Sequence, residues 1–423
     1  MKISNMAVIT LTLLLFTAVA ATAQSRPVTG VASASIFGGN VPEHIVKKAR
    51  AEAAANFNDE LRMWLRENIR IDLDTANTIK NFALQKLAER CLESAEEKTV
   101  SRGRVWTLSL SVSESSVRDA LRAHNDHFNA QASMQYLSAA SDDPNEALHA
   151  AISALASAMA KIEPAGAGGN TNEIRTTAQG LFDRVRVKAP NTVIEGRQGS
   201  LPQKAPVATF TIDSVPLAKF NMTAFVQNGR EFARVATDSR GELPMKNYEV
   251  PFVHNGSMLT VSPDARNYIK SDRFIRFRDI GLRFSRGQEL SFIFKVPTLT
   301  YKLEYKVFSR AEGINIPPDF SSDAHVRKYL KEVCGLMPAH GSAAADLNIR
   351  IGAEITMHTY NDTEEEGLKM SMRGEFRGAG IDKAGQEVFE KRQRFGLSFQ
   401  TGAYFWEASG AIRDFISNTL AKD

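Results

Sequence analysis

The sequence predicts a multidomain α+β fold, and three observations carry that prediction. The first is an alanine-rich stretch, KKARAEAAANFNDELRMWL (47–65), in which Ala49, Ala53, Phe57, Leu61 and Leu65 continue a four-residue spacing that begins at Ile45 just before it. Such spacing lines one face of a helix, with alanines small enough to lie close on a sheet and Phe57, Leu61 and Trp64 large enough to bury area. The second is the region 185–308, where short alternating patterns and turn signals succeed one another with little helix. This predicts a central antiparallel β-sandwich of immunoglobulin-like kind. The third is a helix pattern, three strand patterns and a final helix pattern after residue 311, which predicts a C-terminal α+β domain.

Taken in order, residues 28–36 (VTGVASASI) read as a small, β-branched first strand ended by Gly38-Gly39-Asn40. The alanine-rich helix starts at Pro42, a good first-turn residue, and runs to about Asn68. Residues 69–73 alternate as a short strand would, and a second helix over 76–94 sets Ile79, Ala83, Leu87 and Cys91 on one side. The cleanest strand is VWTLSLSV (105–112), with Trp106, Leu108, Leu110 and Val112 to one face and Val105, Thr107, Ser109 and Ser111 to the other. Ser116 and Asp119 make a capping-box pattern that opens a helix to about Ala140. Asp143-Pro144 with Glu146 starts another, whose face is Leu148, Ile152, Leu155, Met159 and Ile162, so the two arms form a helical hairpin.

PAGAGGN (164–170) is a hinge, and a short helix follows over 171–183. Within the β region, Asp238 to Gly241 is a turn, and Asn255-Gly256 between PFVH and SMLTV is a two-residue hairpin signal. Leu290, Phe292, Phe294 and Val296 alternate cleanly, as do Tyr301, Leu303, Tyr305 and Val307. A helix over 323–334 stops at Gly335. Strands follow around 347–357, 368–376 and 388–399, and a closing helix over 403–420 buries Phe405, Ala408, Ile412, Phe415 and Ile416. The expected domains are 24–123 (α+β), 124–163 (helical hairpin), 164–184 (hinge and short helix), 185–310 (β-sandwich) and 311–423 (α+β).

Residues 1–23 have the three parts of a signal peptide. Lys2 is the positive end, 7–20 is an apolar run too short to read first as a membrane span, and Ala21-Thr22-Ala23 is a small-x-small cleavage site. No later run reaches about 18 apolar residues, so the mature chain is expected to have no transmembrane segment. Removing Lys2 with that segment lowers the formal net charge from +4 to +3, too small an excess to imply nucleic acid. Cys91 and Cys334 are the two cysteines. They read as buried thiols on apolar helix faces, with pairing in an oxidising compartment as the alternative.

Residues 28–123 resemble the LPP-twenty lipoprotein family and the related N-terminal fold of flagellar T-ring proteins. The features that carry the resemblance are the GVASA strand, the KARAEAAANF helix and the RGRVWTLSLSV strand. The wider order is similar to long bacterial envelope proteins of that family, with a helical hairpin, a β-domain holding a T-D-x-x-G turn (Thr237-Asp238 to Gly241) and a C-terminal module with an ADLNIRI-like strand. The resemblance implies a non-catalytic role in assembly, in the periplasm or at the outer membrane. No cysteine follows the signal peptide's apolar run, unlike members anchored by lipid, so membrane association would run through a partner.

Three groups of residues are candidates for chemistry. His124 and His127, with Glu146 and His149, are grouped metal-type ligands on the two hairpin arms, against a reading as solvated or capping residues. Arg273, Arg276, Arg278, Arg283 and Arg286 against Asp279 give a local +4 within fourteen residues, interleaved with Phe274, Phe277 and Phe284. Guanidinium forks suit phosphate and carboxylate, so this stretch is a candidate ligand contact for a glycan or lipid headgroup. The bland reading is the outward face of strands whose phenylalanines are core. DTEEE (362–366) lacks the alternate ligands and glycine of a calcium loop and reads as a solvated tip. No phosphate cradle, G-x-S-x-G elbow or H-E-x-x-H is present, and no cofactor is expected.

The sequence therefore predicts an exported envelope protein, in the periplasm or at the outer-membrane periphery, that acts by binding protein partners as a scaffold or assembly factor and is not an enzyme. The alternatives are a glycan- or lipid-headgroup-binding protein using 273–286, and a hydrolase with a spatial triad around His254 or His340.

Overall fold

The structure, a computed structural model, describes residues 27–35, 41, 43–71, 73–74, 76–102, 105–164, 170–226, 229–284, 290–309, 323–341, 344–362 and 367–400. The signal peptide, most of the 164–170 hinge, the tip 363–366, the closing helix over 403–420 and Arg286 lie outside these residues. The multidomain α+β class stands. The chain divides into two compact units, Met1–Asp183 with Ala265–Arg283, and Arg184–Asp264 with Phe284–Asp423.

In the first unit, β1 (Val28–Ser35), β2 (Glu96–Arg102) and β3 (Val105–Val112) form an antiparallel sheet in the order β1-β3-β2. Helix α1 (Glu43–Trp64) lies across it. Ala49 and Ala53 enter a core with Ala32, Trp106, Leu108 and Leu110, while Phe57, Leu61 and Leu65 are fully buried. The approach is closest at Gly30, where an added Cβ would lie 2.0 Å from the Ala53 carbonyl oxygen and 2.5 Å from the Phe57 nitrogen. On the sheet's other face, Thr29 pairs with Ser111 and Ser33 with Thr107 through hydroxyls 3.1 Å apart.

Two readings of this region need correction. The described residues among 69–73 are not in a strand. The helix ends in a wider π turn, Leu65–Ile69, closed by Arg70 at φ 58°, and the Ile71 N–H returns to the Leu65 carbonyl. Ile71 and Leu73 are buried, so the alternation reported two buried positions without a strand partner. Strand β2 escaped notice because every residue in it is exposed, leaving no apolar period to read. Its Glu97 accepts both Arg50 Nε and Nη2 from α1.

Helix α2 (Thr78–Leu92) buries Ile79, Ala83, Leu87 and Cys91 as predicted, and Asn77 caps it through Oδ1. Helix α3 (Glu114–Ser138) is capped by Ser113, whose Oγ accepts the Ser116 N–H. The cap thus sits three residues before the expected box at Ser116 and Asp119. Helix α4 (Pro144–Met159) starts as read, with Asp143 Oδ1 accepting the Asn145 N–H and proline in the first turn. Leu148, Ile152 and Leu155 are buried, and so are Ala147, Ala151, Ala154, Ala156 and Ala158. An apolar face that wraps most of the way round makes α4 a central helix, between α3 and α5 (Thr171–Phe182).

Among the described residues, the second unit contains three sheets. One is three-stranded, β4 (Val185–Lys188), β6 (Thr209–Ile212) and β7 (Val215–Pro216), in the order β4-β6-β7. The next joins β5 (Val193–Glu195), β8 (Asn221–Val226), β9 (Arg230–Ala236), β10 (Met258–Pro263) and β11 (Leu290–Lys295) in the order β5-β11-β10-β8-β9. Its pairs are antiparallel except β5 on β11, so it is mixed where a purely antiparallel one was expected. Strand β11 alternates buried and exposed throughout, as its sequence said.

The third sheet corrects the reading of the second clean alternation. Strand β12 (Thr300–Ser309) pairs in parallel with β13 (Met337–Pro338) and β14 (Leu347–Asp362), followed by β15 (Gly367–Asp382) and β16 (Glu387–Gln400). Alternation fixes which residues face a core, not which sheet a strand joins. Helix α6 (Ala324–Glu332) precedes β13 and ends near Gly335 at φ 67°. The turn at Asp238 is as read: Asp238 Oδ1 accepts the Arg240 and Glu242 N–H groups, and Gly241 has φ 72°. Asn255-Gly256 is also a turn, with the Ser257 N–H bonded to the His254 carbonyl, but 251–254 is not a strand. The Gly256 N–H bonds instead to the Phe294 carbonyl, so this turn caps β11 rather than joining a hairpin. Among the described residues, no helix is long and apolar enough to cross a membrane.

Candidate functional site

The arginine-rich stretch belongs to the first unit and is not a strand. Ala265–Arg283 is an irregular segment with two 3-10 turns, Arg266–Tyr268 and Phe277–Ile280. The Phe-and-Arg alternation therefore does not report a β period. Its apolar members are anchors: Ile275, Phe277 and Ile280 are fully buried and Leu282 nearly so. Phe277 packs on Phe182 at 5.3 Å and Tyr268 at 6.4 Å, so the aromatic between Arg276 and Arg278 is not available to a ligand. Phe274 is half-buried beneath the guanidinium of Arg266, itself buried.

Arg273, Arg276, Arg278 and Arg283 are exposed. The acidic counterweight has been withdrawn from the surface. Asp279 accepts the Thr78 hydroxyl at the start of α2, its side chain is 10% exposed, and Arg278 Nε stands 3.8 Å away. From Arg273 to Arg283 the charges shown to solvent are therefore cationic, with exposed Asp272 just before them. Its end is fixed by a reciprocal pair, with the Arg283 N–H bonded to Gln179 Oε1 and Gln179 Nε2 to the Arg283 carbonyl. A rigid apolar footing with guanidinium groups outward is suited to holding anionic oxygens.

The histidines meet other partners. Buried His124 places Nε2 3.1 Å from the Ala160 carbonyl, whereas His127 is exposed with its ring against Phe128. Glu146 accepts the Ser141 hydroxyl, and His149 Nδ1 lies 2.8 Å from the Tyr268 hydroxyl with the rings stacked. Among the described residues, no three His, Cys, Asp or Glu side chains group to hold a metal ion.

His124 is one of several side chains that close the C-terminus of α4. Helices end with carbonyls lacking intrahelical partners, and cations suit that end. Lys80 Nζ donates to the Met159 and Lys161 carbonyls. Asn125 bonds Ile162 twice, Nδ2 to its carbonyl and Oδ1 from its N–H, both at 2.9 Å. Burial pulls the Lys80 ammonium below its ordinary pKa against the opposing Glu163 carboxylate. Burial likewise lowers His124 to about 4, against the favourable Ala160 carbonyl and with Arg90, His127 and Lys80 adding repulsion. Sequence reading missed Lys80, Asn125 and Tyr268, because a polar residue on a helix or loop carries no local sign of a distant carbonyl. Asn125→Ala should cost the first unit about 1–3 kcal/mol, since it leaves a buried backbone pair unmatched; urea unfolding followed by Trp64 and Trp106 fluorescence reads it.

In the second unit, His254 is exposed with Nε2 2.7 Å from the Glu332 carbonyl, and His340 is exposed. Cys91 and Cys334 are free and buried, and burial pushes each thiol up to about 12.

No family model matches this chain, and no curated protein matches it. Among solved structures, one similar chain is a minor lipoprotein from Acinetobacter baumannii, at 12% identity and TM-score 0.16, covering 30% of this chain and 85% of that one. Another is a putative protease from Parabacteroides distasonis, at 8% identity and TM-score 0.13, covering 78% of this chain and 67% of that one.

Proposed function

We propose that this is an exported cell-envelope protein that acts by binding, as a scaffold or assembly accessory in the periplasm or at the outer-membrane periphery, without catalysing a reaction. The observation that carries this reading is the cationic segment. Four arginines stand outward on buried apolar anchors, and the one acidic residue among them is turned onto a helix N-terminus. The buried polar groups of the same unit are tied to backbone carbonyls that need them for folding. An exported location rests on the three-part N-terminal pattern in the sequence.

A second reading, favoured by the same arginines, is that the bound group is a phosphate or carboxylate of a lipid headgroup or glycan. The test is charge reversal of Arg276→Glu with Arg278→Glu in the full chain, followed by cell fractionation and envelope co-purification. Both side chains are exposed, so stability should change by no more than about 0.5 kcal/mol. The variant should stay in the envelope fraction and lose wild-type partners. A mature chain found in the cytoplasm, or a partner set unchanged by the reversal, contradicts the reading.

A further inference from the structure

Away from the arginines, the first unit leaves one strand open at its edge and on both faces. Strand β2 is the last strand of its sheet, bonded to β3 and, among the described residues, to no other strand. All 7 of its residues are exposed. Helix α1 lies on β1 and β3 and reaches β2 through the Arg50 guanidinium, which holds the Glu97 carboxylate. The strand thus buries no side chain of its own, although ordering its backbone costs conformational entropy.

The main chain along that edge is also free. The Lys98 carbonyl accepts the Ser109 hydroxyl of β3 at 3.3 Å, so it is turned toward β3. Main-chain groups alternate in direction along a strand, which turns those of Glu97, Thr99 and Ser101 to the open side. Among the described residues no main-chain group bonds to them there. The ion pairs of Glu97 with Arg50 and of Glu96 with Lys98 engage side chains only.

An open edge is a template for another strand, and charged side chains on it ordinarily keep other strands away. Here the charges run in order, with Glu96 and Glu97 at one end, Lys98 next and Arg102 at the other end. Read antiparallel, that order complements itself. A two-fold axis perpendicular to the sheet keeps each face continuous, so even-numbered residues meet even-numbered residues. An axis at Thr99 sets Glu96 opposite Arg102 of the second copy, twice, and Lys98 opposite Val100 of the second copy. An axis at Lys98 would set that lysine against itself, and an axis at Val100 would set Lys98 against Arg102 of the second copy. Opposite charges directly across a strand pair stabilise it and like charges destabilise it, so the charge order selects one register.

We propose that β2 is a homodimer interface, in which two copies of this chain pair their β2 edges antiparallel about Thr99. The result is one continuous sheet in the order β1-β3-β2-β2-β3-β1. Thr99 meets itself, and Glu97 meets Ser101, through the main-chain groups that one copy leaves open. Val100, 51% exposed in one copy, is covered by the alkyl stem of the facing Lys98. Assembly stops at two copies, because at the sheet's other edge the Val31 carbonyl already accepts Asn56 Nδ2 at 2.7 Å. The partner is a second copy because the charge order matches itself.

The experiment follows the purified mature chain by sedimentation velocity over a range of concentrations, where a monomer–dimer equilibrium is expected. Arg102→Glu alone, or Glu96→Arg alone, should lower the association constant about tenfold or more, since two pairs turn from attraction to repulsion. Combining the two should restore it. Both side chains are exposed, so circular dichroism of each variant should match wild type. Thr99→Cys lies on the axis, and residues directly opposite have Cα atoms about 4.5–5.5 Å apart, within reach of a disulfide. It should form a linked dimer under mild oxidation, whereas Val100→Cys, which does not face itself, should not. Cys91 and Cys334 are buried and take no part. Arg276→Glu with Arg278→Glu should leave dimerisation unchanged, which separates this proposal from the arginine reading. A chain that stays monomeric at every concentration, a dimer indifferent to the single reversals, or equal linking from positions 99 and 100 overturns it. So does Thr99→Cys that links to a different protein in envelope extracts and never to itself.

Discussion

Gly30→Val should destabilise the first unit by roughly 3 kcal/mol, the upper end of what overpacking a core costs. The expectation comes from what a Cβ would meet. Its nearest neighbours are the Ala53 carbonyl oxygen at 2.0 Å and the Phe57 nitrogen at 2.5 Å, both backbone atoms that cannot rotate away. Relief requires α1 to lift from β1, which loosens the packing of Ala53 and Phe57, both fully buried. Chemical denaturation followed by Trp64 and Trp106 fluorescence measures this. A loss below about 1 kcal/mol would mean that the helix does not lie on the sheet as described.

Acid should weaken the same unit through His124. Its folded pKa of about 4 lies below the ordinary 6.5, so between these values the unfolded chain binds a proton that the folded chain does not. Stability is therefore full above pH 6.5 and falls as pH drops toward 4, by about 3 kcal/mol in total. Below pH 4 this histidine makes no further difference. The physical cause is chiefly burial, with Arg90, His127 and Lys80 also opposing a charge there. His124→Gln should be less stable at pH 7, because it disturbs the contact with Ala160, yet should lose less between pH 6.5 and 4. Equal slopes for variant and wild type would remove His124 as the cause.

How far the sequence could be read follows from what each pattern measures. Helix α1 was legible because its apolar spacing and its packing are the same fact, and α4 was legible from Asp143, Pro144 and the apolar residues behind them. Strand β3 alternates because one face is buried and the other carries hydroxyls. Strand β2 was invisible, since an edge strand exposed on both faces leaves no period. Strand β12 was found but placed in the wrong sheet, because pairing is a long-range choice that a local pattern does not encode. At the arginine segment the charge was legible but the backbone was not. Phe277 alternates with Arg276 and Arg278 in a 3-10 turn, and only tertiary contacts with Phe182 and Tyr268 reveal it as an anchor. The ring of side chains closing α4 was not legible, since Lys80, His124 and Asn125 come from two helices and meet only in the fold.

The central claim is that the outward arginines are the surface with which this protein meets its partners in the cell envelope. The most direct measurement is photo-cross-linking in intact cells, with a photoreactive residue placed at Arg278 and, as a control, at Arg122, whose side chain is 75% exposed on α3. The account predicts a discrete adduct in the envelope fraction from position 278, lost when Arg276 is reversed to glutamate, and none of the same size from position 122. Identical adducts from both positions, or adducts confined to the cytoplasm, would contradict it.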